Sequence, residues 1–66
     1  MKNNIKVERA ILNLTQEDLA KRIDVSRQTI NAMEANKYVP STVLALKIAR
    51  VFNKQVEQIF VLDEND

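Results

Sequence analysis

Side chains suited to recognising a polar, negatively charged partner are concentrated between Gln16 and Tyr38. Arg27, Gln28 and Asn31 fall within five consecutive positions. Arginine and glutamine can each form paired hydrogen bonds with the edge of a nucleic acid base, and either arginine or lysine can hold a phosphate. This segment therefore carries chemistry for base and phosphate recognition.

Catalytic chemistry has no comparable set of residues. The chain has no histidine and no cysteine, which removes the commonest general base, the commonest metal ligand, disulfides and thiolate sites. The carboxylates are scattered and no glycine-rich phosphate loop is present. We therefore expect no enzyme activity, no cofactor and no metal site.

Charge is distributed unevenly along the chain. Residues 1–54 hold all ten lysines and arginines and five acids, whereas residues 55–66 hold four acids and no base. A basic body with an acidic end suits a polyanion, but a solvated surface would give the same balance. Charge alone leaves both interpretations open.

Helical periodicity dominates the sequence, and no alternating strand pattern persists. The pattern predicts one domain over 1–66 with five helices. The first covers about 4–12, the second starts at 15, the third runs from its cap at Ser26 to about 35, the fourth covers 42–52 and the fifth about 56–60. Thr15, Ser26 and Ser41 stand where N-caps belong, and Asp18 completes a capping box with Thr15. The segments from 15 to about 35 form the pair considered next.

Apolar residues at helical spacing define the inner faces. The first stripe mixes charge with apolar groups, through Ile5, Glu8, Arg9 and Leu12. The later stripes are apolar and comprise Leu19, Ala20, Ile23, then Ile30, Met33, then Leu44, Ala45, Ile48, Ala49, Phe52, and finally Val56, Ile59 and Phe60.

The chain lacks glycine, although short helices commonly end in a left-handed residue. Asn13, Asp24, Asn36 and Asn53 each follow a predicted helix end, and Asn and Asp tolerate positive φ best after glycine. We expect most or all of these four to adopt it, rather than to be ordinary polar loop residues.

The second and third helices have the spacing of a helix-turn-helix. Ala20 is small enough for a close helix crossing, Asp24 lies in the tight turn, and Ile30 would hold the third helix in place. The third helix then presents Gln28, Asn31, Ala32 and Ala35 outward, with Arg27 at the flank. One α-helix fits a B-DNA major groove of about 12 Å, and alanine methyl groups permit close approach to its floor.

Helix N-termini and the following loop add candidate phosphate contacts. Free N–H groups at a helix start attract phosphate oxygens. The candidates are Gln16, Ser26, Thr29, Asn36, Lys37 and Tyr38. For any single one of them, simple solvation is an alternative.

These motifs together resemble the phage Cro/repressor type of helix-turn-helix, also called the xenobiotic-response-element family. The resemblance covers nearly the whole chain. Within the family, the chain is similar to stand-alone regulators, which have no effector domain. The residues that carry it are Leu14-Thr15-Gln16-Glu17-Asp18-Leu19-Ala20, Val25-Ser26-Arg27-Gln28-Thr29-Ile30, Glu34, Lys37-Tyr38, Pro40-Ser41 and Leu44-Ala45-Leu46-Lys47-Ile48-Ala49.

The resemblance implies an all-α, five-helix lambda-repressor-like fold and a homodimer on double-stranded operator DNA with two half-sites. It implies that Gln16 contacts phosphate and supports the third helix, that Arg27, Gln28 and Asn31 face bases or nearby phosphates, and that Lys37 and Tyr38 hold the backbone. The chain departs from the family where Asp24 and Asn36 replace glycine and where Glu8 replaces an apolar residue.

Arg9 and Glu34 both fall on inner faces, of the first and third helices. Similar proteins often join these positions by a partly buried ion pair, and we expect that pair here. Two separate surface charges are the alternative.

Apolar residues near the C-terminus suggest a two-fold interface. Val43 and Leu46 point off the inner stripe of the fourth helix, and Phe60, Val61 and Leu62 would leave surplus apolar surface. We expect a dimerisation region over about 54–62, formed by Val56, Ile59, Phe60, Val61 and Leu62.

The leading interpretation is a dimeric transcriptional regulator. We expect a repressor, but an activator would dock on DNA in the same way, so the sequence leaves both open. The alternative is a protein-interaction module, such as an antitoxin or a regulator acting through a protein partner. No segment approaches the ~20 apolar residues of a membrane span and no signal peptide is visible, so we expect a cytoplasmic protein. No small-molecule ligand site is evident.

Overall fold

The computed structural model describes all 66 residues and contains five helices and two short strands. All five predicted helices are confirmed. In chain order the elements are β1 (Lys2–Asn3), α1 (Ile5–Ile11), α2 (Gln16–Ile23), α3 (Arg27–Glu34), α4 (Thr42–Phe52), α5 (Val56–Ile59) and β2 (Phe60–Val61).

The helix bounds differ from the predicted ones by about one residue. Asn4 and Leu12 are the caps of α1 rather than its first and last residues. The last helix ends at Ile59 because Phe60 is already extended, with φ −112° and ψ 132°.

A two-stranded antiparallel sheet joins the two ends of the chain. Lys2 pairs with Val61 and Asn3 with Phe60, and the Asn4 N–H donates to the Ile59 carbonyl at 2.8 Å. The sequence has no lasting strand pattern, and this small sheet is an addition to the predicted helical fold. Strands of two residues are too short to alternate, so only long-range pairing defines them.

Three of the helices begin with the predicted hydroxyl caps. Thr15 Oγ1 accepts from the Asp18 N–H at 3.0 Å, and Asp18 Oδ2 accepts from the Thr15 N–H at 3.0 Å. Ser26 Oγ and Ser41 Oγ accept from the N–H groups three residues later, each at 3.2 Å. These bonds satisfy donors that a helix start leaves unpaired.

Left-handed residues follow four of the helices, as predicted. Asn13, Asp24, Asn36 and Asn53 have φ values of 56°, 61°, 60° and 54°. Asp24 and Asn53 are the C-caps of α2 and α4. Asparagine and aspartate therefore occupy the positions where such domains ordinarily use glycine.

One apolar core joins the elements. Its members are Ile5, Leu19, Ala20, Ile23, Ile30, Met33, Leu44, Ile48, Ala49, Phe52, Ile59 and Phe60. Leu12 was predicted to face inward, but it is 46% exposed. The reason is that α1 has ended before it, and Leu14 packs against the core instead.

Candidate DNA-binding interface

Helices α2 and α3 pack against each other across a three-residue turn. Ala20 and Ile30 are buried, and the Val25 N–H donates to the Ala20 carbonyl at 3.0 Å. Asp24 supplies the left-handed residue that reverses the chain. The small residue and the tight turn produce the close crossing of a helix-turn-helix.

The outer face of α3 is uncovered. Gln28, Asn31 and Ala35 are exposed and Ala32 is half-buried, whereas Ile30 and Met33 on the opposite face are buried. No other part of the chain covers the outer residues, so this face is free to enter a groove.

The start of α3 lies at the surface beside this face. Arg27 is exposed, and the hydroxyls of Ser26 and Thr29 lie 3.0 Å apart. The Ser26 hydroxyl also accepts from the Thr29 N–H and so caps α3. Both hydroxyls lie at the helix end that commonly reaches DNA.

Gln16 connects the start of α2 to α3. Its Nε2 atom donates to Glu34 Oε1 at 3.0 Å and to Asn31 Oδ1 at 3.4 Å. Asn31 is on the exposed face of α3, so the Gln16 amide orients a side chain of that face. This contact gives Gln16 the geometry of a support for α3.

Arg9 and Glu34 form the expected ion pair between α1 and α3. Arg9 Nε lies 2.6 Å from Glu34 Oε2, and Arg9 Nη2 donates to Glu34 Oε1 at 3.0 Å. The side chains are only 13% and 9% exposed. Arg9 Nη1 also donates to the Leu14 carbonyl at 2.9 Å, so both groups are well satisfied.

The charges of this pair stabilise each other. Burial raises the pKa of Glu34, but hydrogen bonds from Arg9 and Gln16 and the positive charge of Arg9 outweigh it and hold that pKa below its ordinary value. The hydrogen bond to Glu34 raises the pKa of Arg9. Both groups therefore remain ionised at neutral pH.

Polar residues line an open cleft of about 420 Å³ at the starts of α2 and α3. The lining residues are Arg9, Thr15, Gln16, Glu17 and Arg27. Lys37 and Tyr38 lie exposed beyond the other end of α3. Neither Arg27 nor Lys37 forms an ion pair within the chain, so cations without partners flank the exposed face at both ends.

Comparison with known proteins agrees with this geometry. A helix-turn-helix family profile matches residues 5–59. The chain belongs to the Cro/repressor-type helix-turn-helix family of DNA-binding transcriptional regulators. Its fold is accordingly lambda-repressor-like.

Relatives of this helix-turn-helix chain occur in archaea and bacteria. It is 54% identical over 66 residues to an uncharacterized HTH-type transcriptional regulator of Methanocaldococcus jannaschii, with all of both chains covered. A regulator of Archaeoglobus fulgidus is also 54% identical, covering all of this chain and 93% of its own length. The regulator YgzD of Bacillus subtilis is 44% identical over the full length of both.

Two residues of this helix-turn-helix protein have polar roles that the sequence did not reveal. Asn3 donates from Nδ2 to the Met33 carbonyl at 2.8 Å, and Lys54 Nζ donates to Glu8 Oε2 at 2.8 Å. Both pairs span large sequence separations. The only available signal was that Glu8 occupied an inward-facing position without a predicted partner.

The predicted dimer residues divide into two groups. Ile59 and Phe60 are buried in the core of the single chain, so they do not supply the surplus apolar surface expected of Phe60. They pack inward because α5 and β2 close over the other helices. Val56 is half-buried, and Val61 and Leu62 are exposed.

No helix of the chain is both long and apolar enough to traverse a bilayer. No group of three or more carboxylates has the arrangement of a metal site.

Proposed function

We propose that this regulator binds operator DNA as a homodimer, inserts α3 into the major groove, and represses transcription. The observation that carries the proposal is the uncovered face of α3, which bears Gln28 and Asn31 beside Ala32 and Ala35. A largely buried ion pair between Glu34 and Arg9 holds the same helix against α1.

Base recognition falls to the first two turns of α3. Gln28 can pair with adenine, and Arg27 can pair with guanine or clamp a phosphate. Gln16 occupies the Oδ1 atom of Asn31, which leaves the Asn31 amide N–H groups to donate to a base. Ala32 and Ala35 allow the helix to lie close to the groove floor and to contact thymine methyl groups.

Phosphate contacts surround this face. The Gln16 side-chain amide already donates to Glu34 and Asn31, so we assign its phosphate contact to the free backbone N–H groups at the start of α2. Ser26 and Thr29 serve the start of α3. Lys37 and Tyr38 serve the backbone beyond its far end.

A second copy of the chain is proposed to cover the apolar side of α4. Val43 and Leu46 are 63% and 57% exposed. Leu46 lines a groove of about 220 Å³, whose apolar lining also includes Val39, Ala45, Val56 and Phe60. Val61 and Leu62 add exposed apolar groups at the end of β2. So much apolar surface on a small domain favours self-association.

Dimerisation would set the DNA geometry. Two α3 helices related by a two-fold axis would read half-sites about 34 Å apart, one turn of DNA. Occupation of a promoter by such a dimer blocks polymerase without any additional surface, so repression is the proposed outcome. Such a protein acts on chromosomal DNA in the cytoplasm.

Selection of bound duplexes from a random pool tests the DNA interface. We expect a two-fold symmetric motif, with log affinity falling about 0.9 per phosphate for each unit of log salt. Gln28→Ala should change the selected sequence, whereas Lys37→Ala should keep it and flatten the salt slope by about one phosphate. Absence of any enriched motif would overturn the proposal in favour of a protein-interaction module.

Sedimentation tests the dimer. Val43→Glu and Leu46→Glu should shift the chain from dimer to monomer without unfolding it, because both side chains are already largely exposed. Ile11→Glu on α1 is the matched control, since Ile11 is 64% exposed on a different helix. A wild-type monomer at micromolar concentration would contradict the dimer.

Repression requires a promoter test. A reporter driven by a promoter containing the selected motif should be more active when the regulator is absent. If the reporter is instead less active when the regulator is absent, the protein is an activator.

A further inference from the structure

The side chain of Asn3 makes three hydrogen bonds, two of which join β1 to the end of α3. Its Nδ2 donates to the Met33 carbonyl at 2.8 Å and to Asn36 Oδ1 at 3.1 Å. Its Oδ1 accepts from the Ile5 N–H at 3.2 Å. Asn3 therefore contacts both the last turn of α3 and the left-handed residue that follows it.

The end of α3, a helix of only eight residues, is closed by backbone hydrogen bonds to which Asn3 adds a side-chain contact. The Asn36 N–H donates to the Met33 carbonyl at 3.0 Å, and the Lys37 N–H donates to the Ala32 carbonyl at 2.9 Å. The start of α3 is held by the Ser26 cap, and Glu34 by its contacts with Arg9 and Gln16. Asn3 is the side chain that contacts the backbone at the far end.

The anchor behind Asn3 is firm. Asn3 pairs with Phe60 in the sheet, and the next residue, Asn4, donates its N–H to the Ile59 carbonyl. Ile59 and Phe60 are both core residues. The end of α3 is thus tied, through Asn3, to the buried part of the chain rather than to a loose strand.

We propose that Asn3 is a positioning residue for DNA recognition, which holds the end of α3 and the turn after it so that Lys37 and Tyr38 meet the DNA backbone in a fixed geometry. The inference rests on the proposed function. Asn3 acts through Met33 and Asn36, because its side chain is occupied by these contacts within the chain.

Asn4 provides a matched control. It is the same residue type at the adjacent position, and its Nδ2 donates to the Gln58 carbonyl at 3.3 Å. That contact reaches α5 and not α3. Replacement of Asn4 changes the same strand end without touching the recognition helix.

The first measurement uses amide hydrogen exchange of the free protein. In Asn3→Ala we expect the N–H groups of Asn36 and Lys37 to exchange about five- to tenfold faster, the effect of losing a hydrogen bond. The exchange rate of the Ile48 N–H in α4 should not change. In Asn4→Ala the exchange rates of the Asn36, Lys37 and Ile48 N–H groups should all equal those of the wild type. Unchanged exchange at Asn36 and Lys37 in Asn3→Ala would overturn the inference.

A second variant guards against loss of the fold. Asn3→Asp preserves the size of the side chain and the acceptor for Ile5, but replaces the donor with an oxygen facing the Met33 carbonyl and Asn36 Oδ1. It should reproduce the faster exchange of Asn36 and Lys37. An effect seen in Asn3→Ala alone would overturn the hydrogen-bond argument.

The second measurement uses a duplex carrying the selected motif, at a temperature where every variant is folded. Both Asn3 variants should bind about five- to tenfold more weakly, with a salt slope smaller by about one phosphate, while Asn4→Ala should bind like wild type. Faster exchange with unchanged affinity would overturn the positioning role alone. Failure of the wild type to bind any duplex would overturn the proposed function, and the exchange data would still report the contact itself.

Discussion

Two adjacent residues of α1, Glu8 and Arg9, tie this helix to different elements of the molecule, and Arg9 makes more hydrogen bonds than Glu8. Arg9 reaches α3 and makes paired hydrogen bonds to Glu34, with further contacts from Leu14 and Gln16. Glu8 is 7% exposed and reaches Lys54 between α4 and α5 through one bond of 2.8 Å.

The difference between the two pairs is one of surroundings. Both members of the Arg9–Glu34 pair are largely buried and held by additional hydrogen bonds, whereas the Lys54 side chain is 39% exposed. Water therefore screens the second pair and leaves it weaker. The comparison teaches that the molecule concentrates its buried polar network beneath the helix proposed to read DNA.

Arg9→Ala should have the largest effect. It leaves the Glu34 carboxylate buried without its cation, which costs roughly 3–5 kcal/mol. Thermal unfolding followed by circular dichroism measures the loss. An unchanged melting temperature would mean that the two charges are solvated separately.

The double variant Arg9→Met with Glu34→Leu sharpens this result. Apolar residues in place of both charges should retain most of the stability, because neither charge is then stranded. A double variant as unstable as Arg9→Ala would show that the hydrogen bonds themselves hold α1 to α3.

Lys54→Ala should have a smaller effect. Its loss leaves Glu8 without its hydrogen-bond donor and should cost about 1–3 kcal/mol in the free energy of unfolding. Lys47→Ala is the control, because Lys47 is exposed and forms no ion pair. Chemical denaturation compares the two, and equal losses would contradict the assignment of Lys54 to Glu8.

Gln16→Met should cost about 0.5–1.5 kcal/mol, because one hydrogen bond to Glu34 is lost while Arg9 remains. Chemical denaturation measures it against Glu17→Met at the adjacent exposed position. A loss as large as that of Arg9→Ala would mean that Gln16, and not Arg9, is the main partner of Glu34.

Acidification removes charge without removing atoms, and we expect the smallest effect from it. The pKa of Glu34 in the folded chain lies below its usual 4.5. The stability it contributes is therefore complete above pH 4.5 and is lost as the pH falls towards the folded-state pKa. Melting temperatures of wild type should fall more steeply below pH 4.5 than those of the Arg9→Met, Glu34→Leu variant, and parallel curves would contradict this.

Local features of the chain were predictable from sequence. The caps at Thr15, Ser26 and Ser41 and the left-handed residues depend on neighbours only a few positions away. The Arg9–Glu34 contact was predictable because both residues fall on inward faces of helices that must pack together, and because similar proteins join these positions by an ion pair.

Long-range contacts between short or isolated residues were not predictable. Neither the strand of Lys2 and Asn3 nor its partner is long enough to show a period. The partner of Glu8 comes from a helix end far along the chain, without any local signature. Ile59 and Phe60 were predicted both to face inward and to form the dimer interface. Only the packing of α5 and β2 over the core shows that they are buried within the single chain.

The pairing of Asn3 with Phe60 also bears on the order of folding. It closes a loop of nearly the whole chain, and such closure costs more entropy than the contacts between neighbouring helices. Local helical contacts form quickly and distant strand pairs form late. We therefore expect a refolding chain to regain its helical content first and to secure the far end of α3 last, so that competence for DNA arrives after the helices have already assembled.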